Sequence, residues 1–415
     1  MEEVATAEKK LRDYRPIIGD AAYNEIQKVA EKLRGKRVAH VNATPYGGGV
    51  AELLHSVVPL QRDAGLDVHW FVLAGSNPFF EVTKAMHNGL QGAKVEITPE
   101  MLETYRKINE ENASRFEDDF DYVVIHDPQP APFVSLCERR GVWVWRCHID
   151  LTAPNPSALA AIAPYVQEFD ACIFTSESYV PRSLRFRKTV AATPAIDPLS
   201  PKNRDISGEE RAGVLSRFGV DTNRPIINQV GRFDPWKDPL GVIDAYRIVK
   251  RKVPGVQLLM IGSMAKDDPE GWRWFERTAR HAGDDPDIHF LTDLVGVGGL
   301  EVNVFQRESE VGIAKSLREG FGLIVSESLW KGVPVVGGNV TGIALQVEDG
   351  RHGFLVSSVD EAGARITELL RDEKRRKAMG KDGRERVRSH FLITRYVRDY
   401  LRLFAETAAS PRTAR

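Results

Sequence analysis

Short apolar runs alternate along this chain with longer stretches whose apolar residues recur at helical spacing. The first series of short runs is Arg37–Asn42, Val68–Leu73, Tyr122–His126, Val142–Cys147 and Ala171–Thr175. They are rich in Val, Ile and aromatic residues, which predicts strands. Helical patterns lie among them at Val50–Ala64, Thr98–Arg115, Pro132–Arg139 and Ser157–Glu168. Another, Ala21–Arg34, precedes the first strand, with Ile26, Val29, Ala30 and Leu33 at helical spacing and Gly35 as its stop. Residues 1–20 are charged and show no clear core pattern. A second series predicts strands at Ile226–Val230, Val256–Ile261, Ile288–Leu291, Val311–Ala314, Val333–Val336 and Gly353–Val356, with helices at Leu240–Arg251, Trp272–His281 and Asp360–Leu370 among them. Strand and helix in alternation predict an α/β fold, its parallel sheets wound on both faces.

Between the two series, residues 189–205 hold three prolines in a short polar span. Proline removes donors and favours extended chain, so this span reads as an inter-domain connection. The expected division is an N-terminal domain 1–198, a C-terminal domain 199–384, and a helix and tail 385–415. The helical stretch Arg384–Phe404 is rich in Arg, and Ala409–Arg415 reads as a disordered tail. A chain of 415 residues exceeds one ordinary core, which fits two domains.

Composition narrows the class. The chain is 42% apolar and 28% charged, with a formal net charge of −1, which argues against nucleic acid or an anionic membrane held by bulk electrostatics. No secretory pattern opens the sequence and no apolar run approaches bilayer length. Cys137, Cys147 and Cys172 lack Cys-x-x-Cys pairing, as expected of reduced thiols in a cytoplasm.

The stretch with most chemistry is Lys315-Ser316-Leu317-Arg318-Glu319-Gly320-Phe321-Gly322-Leu323, followed by a helix to Trp330 that carries Glu327. Eight positions separate Glu319 from Glu327, a little over two turns at about 3.6 residues each, so both carboxylates can face one side. Gly320 and Gly322 let backbone N–H groups approach a ligand, and a helix start favours an anion such as a diphosphate. Glu319 can accept from sugar hydroxyls and Glu327 from a ribose. Upstream, Gly231-Arg232-Phe233-Asp234-Pro235-Trp236-Lys237 leaves a strand with two cations, a fork and a point charge suited to the same diphosphate. Gly47-Gly48-Gly49 sits between a strand and a helix, but is neither the dinucleotide fingerprint nor a P-loop. Alone it is a tight turn. At the ends of two first-domain strands stand His126-Asp127 and His148-Ile149-Asp150, where ligands bind in such sheets.

These motifs together resemble the retaining glycosyltransferases of family four. Glu319 and Glu327 look like that family's Glu-x7-Glu signature, Arg232 and Lys237 like its diphosphate clamp, and Gly47, Gly48 and Gly49 like its donor loop. His148 matches its sugar-site histidine. Closer still, the runs Gln306-Arg307, Lys315–Gly322, His126-Asp127-Pro128-Gln129-Pro130, Trp145–Asp150 and Val347–Gly350 resemble the trehalose glycosyltransferring synthases. The resemblance covers nearly the whole chain. It implies the GT-B architecture: two Rossmann-like doubly wound domains facing a cleft, with a C-terminal helix crossing back to the first domain. It implies a cytoplasmic enzyme joining glucose from UDP- or ADP-glucose to free glucose, giving α,α-trehalose reversibly.

In that reading Arg232, Lys237, Glu319 and His148 are catalytic. Gly47, Gly48, Gly49, Asn303, Gly320, Phe321, Gly322, Leu323 and Glu327 hold the donor, and His126, Asp127 and Asp150 hold the acceptor. The nucleotide-sugar is a co-substrate, there is no tightly bound cofactor and no metal site, and Mg2+ assistance and a homodimer are left open. Departures are Lys315, where the family often has Pro, and Thr341, where it commonly has Gly. Competing readings are a retaining trehalose phosphorylase, another family-four glycosyltransferase, a nucleotide-sugar epimerase and a two-domain sugar-binding protein.

Overall fold

A computed structural model describes residues 1–46, 48–264 and 269–408. Gly47 of the glycine loop and the tail Ala409–Arg415 lie outside them. The chain divides into two compact units: Met1–Ala195 together with the chain from Ile393 onward, and Ile196–Leu392.

The first unit is built on seven strands: β1 (Glu2–Glu3), β2 (Arg37–Asn42), β3 (Asp67–Val72), β4 (Tyr122–His126), β5 (Val142–Arg146), β6 (Ala171–Phe174) and β7 (Thr189–Ala191). Their order is β1-β3-β2-β4-β5-β6-β7, and every pair is parallel except β1 with β3. Alternation sorts the buried residues onto two faces. Val38, Val124 and Val144 join one core, and Ala39, Val41, Val123 and Ile125 the other. Among the described residues the second unit has six parallel strands: β8 (Ile226–Val230), β9 (Gln257–Gly262), β10 (Ile288–Thr292), β11 (Val311–Ala314), β12 (Val335–Gly338) and β13 (Gly353–Val356). They lie in the order β10-β9-β8-β11-β12-β13. Each sheet therefore reverses its winding once, between β2 and β4 in the first and between β8 and β11 in the second. Ligands of such sheets bind beyond the carboxyl ends of the strands at this switch point.

The unit boundaries fall at Ala195/Ile196 and Leu392/Ile393, not at the 198/199 and 384/385 drawn from composition. The first three residues of the proline-bearing span, Thr189–Ala191, are an edge strand. The Arg-rich stretch is two helices, not one. Glu373–His390 packs on Leu323–Trp330 of the second unit. Between the two, Phe391 and Leu392 are buried, and Phe391 leaves helical geometry to accept from the Ile196 N–H at 2.8 Å. The helix Ile393–Ala408 then returns to the first unit, against Leu11–Ala30 and Gly49–Asp63. There Tyr122 Oη donates to the Phe404 carbonyl at 2.9 Å, with their rings stacked. The charged amino-terminal segment also contributes more than its pattern suggests. Leu11 and Tyr14 are buried in a helix that runs from Leu11 to Ala30 and is interrupted at Gly19, whose φ is +79°. No helix among the described residues is long and apolar enough to cross a membrane.

Candidate functional site

In the second unit the switch point gathers the residues singled out by sequence. After β8 the chain passes Gly231 and Arg232 into a short turn, Pro235–Lys237, capped by Asp234, whose carboxylate accepts from the Lys237 N–H at 3.1 Å. Gln229 holds the Lys237 carbonyl at 2.8 Å, and the Leu317 N–H donates to the Trp236 carbonyl at 2.8 Å. These bonds join the end of β8 to the loop that follows β11. Lys237 Nζ is paired with Glu319 Oε2, to which Ser316 Oγ also donates at 3.3 Å. Lys315, the departure from the family pattern, is buried and paired with Asp238. Asp238 sits at φ +48° and caps the helix Pro239–Lys250 through the Gly241 N–H. Lys315 therefore fastens β11 to the start of that helix. Arg232 is different: its side chain is 59% exposed, with Asp234 3.8 Å away. Burial lifts the Asp234 carboxyl above its ordinary range, even against the pull of Lys237 and Arg232.

Gly322 adopts φ +79° and opens the helix Leu323–Trp330 with no side-chain cap. Any side chain there would be strained, and its Cβ would meet the Glu319 side chain at 3.0 Å. Phe321 is buried against Phe391, while Gly320 and Leu323 are half-buried at the loop and the helix start. Gln346 pins the turn by donating to the carbonyls of Phe321, Gly322 and Gly342. Thr341, the second departure, opens the short helix Thr341–Ala344, where no positive φ is required. Glu327 is fully buried; Oε1 lies 3.4 Å from Lys202 Nζ, and Oε2 has no hydrogen-bond partner. A buried carboxylate oxygen without a donor is costly unless a ligand supplies one. Asn303, expected from sequence as a donor contact, is bonded within the protein. Its amide donates to the carbonyls of Pro201 and Arg204, and its oxygen accepts from Arg307. It holds the segment that carries Lys202.

In the first unit the parallel register builds a staircase. His40 of β2 pairs with Val124 of β4, two residues before His126. His126 pairs with Arg146 of β5, two residues before His148. A step of two keeps side chains on one face, so the three imidazoles line up across three strands. His40 Nδ1 lies 3.0 Å from His126 Nε2, and His126 Nδ1 lies 3.1 Å from His148 Nε2. Gln61, from the helix Gly49–Asp63, closes the row with Oε1 2.9 Å from His40 Nε2. His40 and His126 are buried and His148 is half-buried, so the row opens at His148. Burial holds His40 down to about 4 and puts His126 well below the usual imidazole range. Both ring nitrogens of His126, expected from sequence to touch the acceptor, lie within hydrogen-bond distance of neighbouring histidines.

Asp127 stands at φ +61° and accepts from the His148 N–H at 2.7 Å, so it shapes the His148 loop. Burial raises its carboxyl to about 7, although the His148 N–H and Arg146 act the other way. Asp150 Oδ1 turns back onto its own loop, accepting from the N–H and hydroxyl of Thr152. Arg146 lies fully buried beneath, bonded to Tyr396 Oη and the Ala192 carbonyl, with Nη1 unpartnered. Gly48 and Gly49 form the uncapped start of the helix Gly49–Asp63. Sequence reasoning missed His40, Gln61 and Lys202. A histidine inside an apolar strand was the one available signal, and its meaning depends on strand order.

Among the described residues no group of three or more His, Cys, Asp or Glu side chains is placed to hold a metal ion. Residues 215–386 match the family model described as glycosyl transferases group 1, and residues 40–181 match that of the trehalose synthase N-terminal domain. The fold is similar to a sucrose-phosphate synthase of Thermosynechococcus elongatus: TM-score 0.72 at 18% identity, covering 91% of this chain and 100% of that one. Fold and family models together define a glycosyltransferase of the GT-B architecture. A trehalose synthase of Thermococcus litoralis is 51% identical over 95% of this chain and 96% of its own. One of Rubrobacter xylanophilus is 48% identical over 98% and 99%. This chain belongs to the trehalose synthase family.

Proposed function

We propose that this enzyme transfers glucose from a nucleoside diphosphate glucose, UDP- or ADP-glucose, to free glucose, forming α,α-trehalose with retention. The observation that carries the donor half is Glu327, buried with Oε2 unpartnered in a loop–helix unit that also bears Glu319. A vicinal diol of ribose would supply the missing donors. Glu319, already joined to Lys237, would hold donor glucose hydroxyls, and Arg232 and Lys237 would face the diphosphate. Among the described residues no carboxylate is assigned as a covalent nucleophile, which favours front-face substitution. The bond from the anomeric carbon to phosphate oxygen breaks, and its electron pair stays on the diphosphate. The acceptor hydroxyl bonds to the same face and gives its proton to that phosphate oxygen. Cations aimed at this growing charge supply a large share of catalysis in such sites. His148 would orient the acceptor sugar. Reversal needs only trehalose and the nucleoside diphosphate as substrates.

Incubation with several nucleoside diphosphate glucoses plus glucose, followed by product identification, tests the reading. Trehalose from glucose 1-phosphate instead would point to phosphorolysis, in which Glu327 has no ribose to hold. A product isomeric with the donor sugar, formed without acceptor, would point to epimerisation.

Two further outcomes are expected. Glu327→Ala weakens UDP or ADP binding by roughly tenfold or more, the scale of a lost charge-assisted hydrogen bond, and leaves glucose affinity unchanged. Calorimetry with each ligand checks this, and unchanged nucleotide affinity would remove the ribose assignment. Free glucose is the preferred acceptor and glucose 6-phosphate a poor one, because Arg146 is buried and committed to Tyr396 and Ala192. A competition assay decides it, and preference for glucose 6-phosphate would mean a phosphorylated-disaccharide synthase.

A further inference from the structure

The row Gln61–His40–His126–His148 has a direction. A neutral imidazole carries one N–H and one lone pair, so fixing either nitrogen fixes the other. The Gln61 carboxamide oxygen only accepts, so His40 Nε2 must donate to it. His40 Nδ1 is then a lone pair and takes the N–H of His126 Nε2 at 3.0 Å. His126 Nδ1 is in turn a lone pair and takes the N–H of His148 Nε2 at 3.1 Å. Among the described residues nothing in the protein bonds His148 Nδ1, on the one residue of the row that is half-buried.

We infer that Gln61, His40 and His126 are positioning residues that hold His148 in a single tautomer, with Nδ1 as a bare hydrogen-bond acceptor presented to a sugar hydroxyl. The chain acts as a molecular ratchet of hydrogen-bond polarity. Turning the Gln61 amide over would make it a donor, reverse each bond, and leave His148 Nδ1 as a donor instead. Burial supports neutral rings along the row, because a buried imidazolium without an anionic partner is costly. The kinetic part rests on the acceptor reading of His148; the tautomer itself does not.

Histidine-selective 15N labelling of the full chain, with His148 assigned through His148→Gln, reads the tautomer directly. The expected wild-type result is protonated Nε2 and unprotonated Nδ1. Gln61→Leu, close in volume to the original, is expected to mix the tautomers at His148. It should also lower kcat/KM for glucose roughly tenfold, less than the roughly hundredfold or more of losing a placed proton-bearing group outright, because the tautomers mix and His148 stays in place, with KM for the nucleotide-sugar unchanged. Gln61→Glu, which keeps an accepting oxygen, is expected to restore the single tautomer. A wild-type His148 protonated at Nδ1, or a tautomer indifferent to Gln61→Leu, overturns the inference. If the tautomer mixes while glucose kinetics stay unchanged, the directional row stands and the acceptor role of His148 falls.

Discussion

Arg232→Ala is expected to lower kcat by roughly two to three orders of magnitude, about 2–4 kcal/mol of barrier, with a much smaller change in donor binding. The structure makes this a clean test. The Arg232 side chain is mostly exposed, its nearest acid is 3.8 Å away, and its removal leaves no buried group unpaired. Stability should therefore move by less than about 0.5 kcal/mol. Lys237 offers no such separation, because its loss also removes the cation paired with Glu319. Single-turnover kinetics together with a thermal melt check both statements. A near-normal kcat in Arg232→Ala would make Arg232 a surface cation and nothing more.

Acid stability is the second large effect, and it has two opposing parts. His40 is held at about 4 when folded, against about 6.5 when unfolded, so the unfolded chain binds more protons between these values. Its contribution is intact above about pH 6.5 and is lost as pH falls towards 4. Between pH 7 and pH 5 that loss is about 2 kcal/mol. Asp127 runs the other way. Its carboxyl is raised to about 7, so the folded chain binds more protons below that point and gains stability as pH falls, again by about 2 kcal/mol over the same interval. The expectation concerns slopes. His40→Gln should make unfolding free energy fall less on acidification than in the wild type, and Asp127→Asn should make it fall more. Denaturant titrations at both pH values check this, and equal slopes in all three proteins would refute the neutral histidine row.

Strand positions were legible because the sheets are parallel and covered on both faces, which leaves near-continuous apolar runs. Ile226–Val230, Val311–Ala314 and Gly353–Val356 match residue for residue. The loop chemistry around Glu319 was legible because its residues are close in sequence. What stayed hidden depends on register and burial. The histidine row stayed hidden because a strand pattern does not say which strands are neighbours. Only the order β2-β4-β5 brings His40 to one side of His126 and His148 to the other. The bonds of Asn303 stayed hidden for a related reason, since its partners Pro201 and Arg204 lie about a hundred residues away. The helix from Leu11 was missed because Leu11 and Tyr14 stand among charges that mask a sparse apolar face. The break at Phe391 was missed because both flanking segments are strongly helical and the cause, pairing with Ile196, is remote.

The return of the helix Ile393–Ala408 has a consequence for how the protein is made. The second unit is one unbroken stretch, Ile196–Leu392, whereas the first is interrupted by it. At about 5–20 residues per second, a ribosome finishes Ile196–Leu392 roughly 10–40 s after Ala195. Throughout that interval the nascent first sheet lacks the Tyr396 hydroxyl that bonds Arg146 and the Phe404 ring that stacks on Tyr122. The usual order of vectorial folding, amino-terminal unit first, is thus inverted, and the later-made unit is the first able to close. Until then Arg146 lacks its Tyr396 partner, and its full burial waits for the docking of the helix Ile393–Ala408.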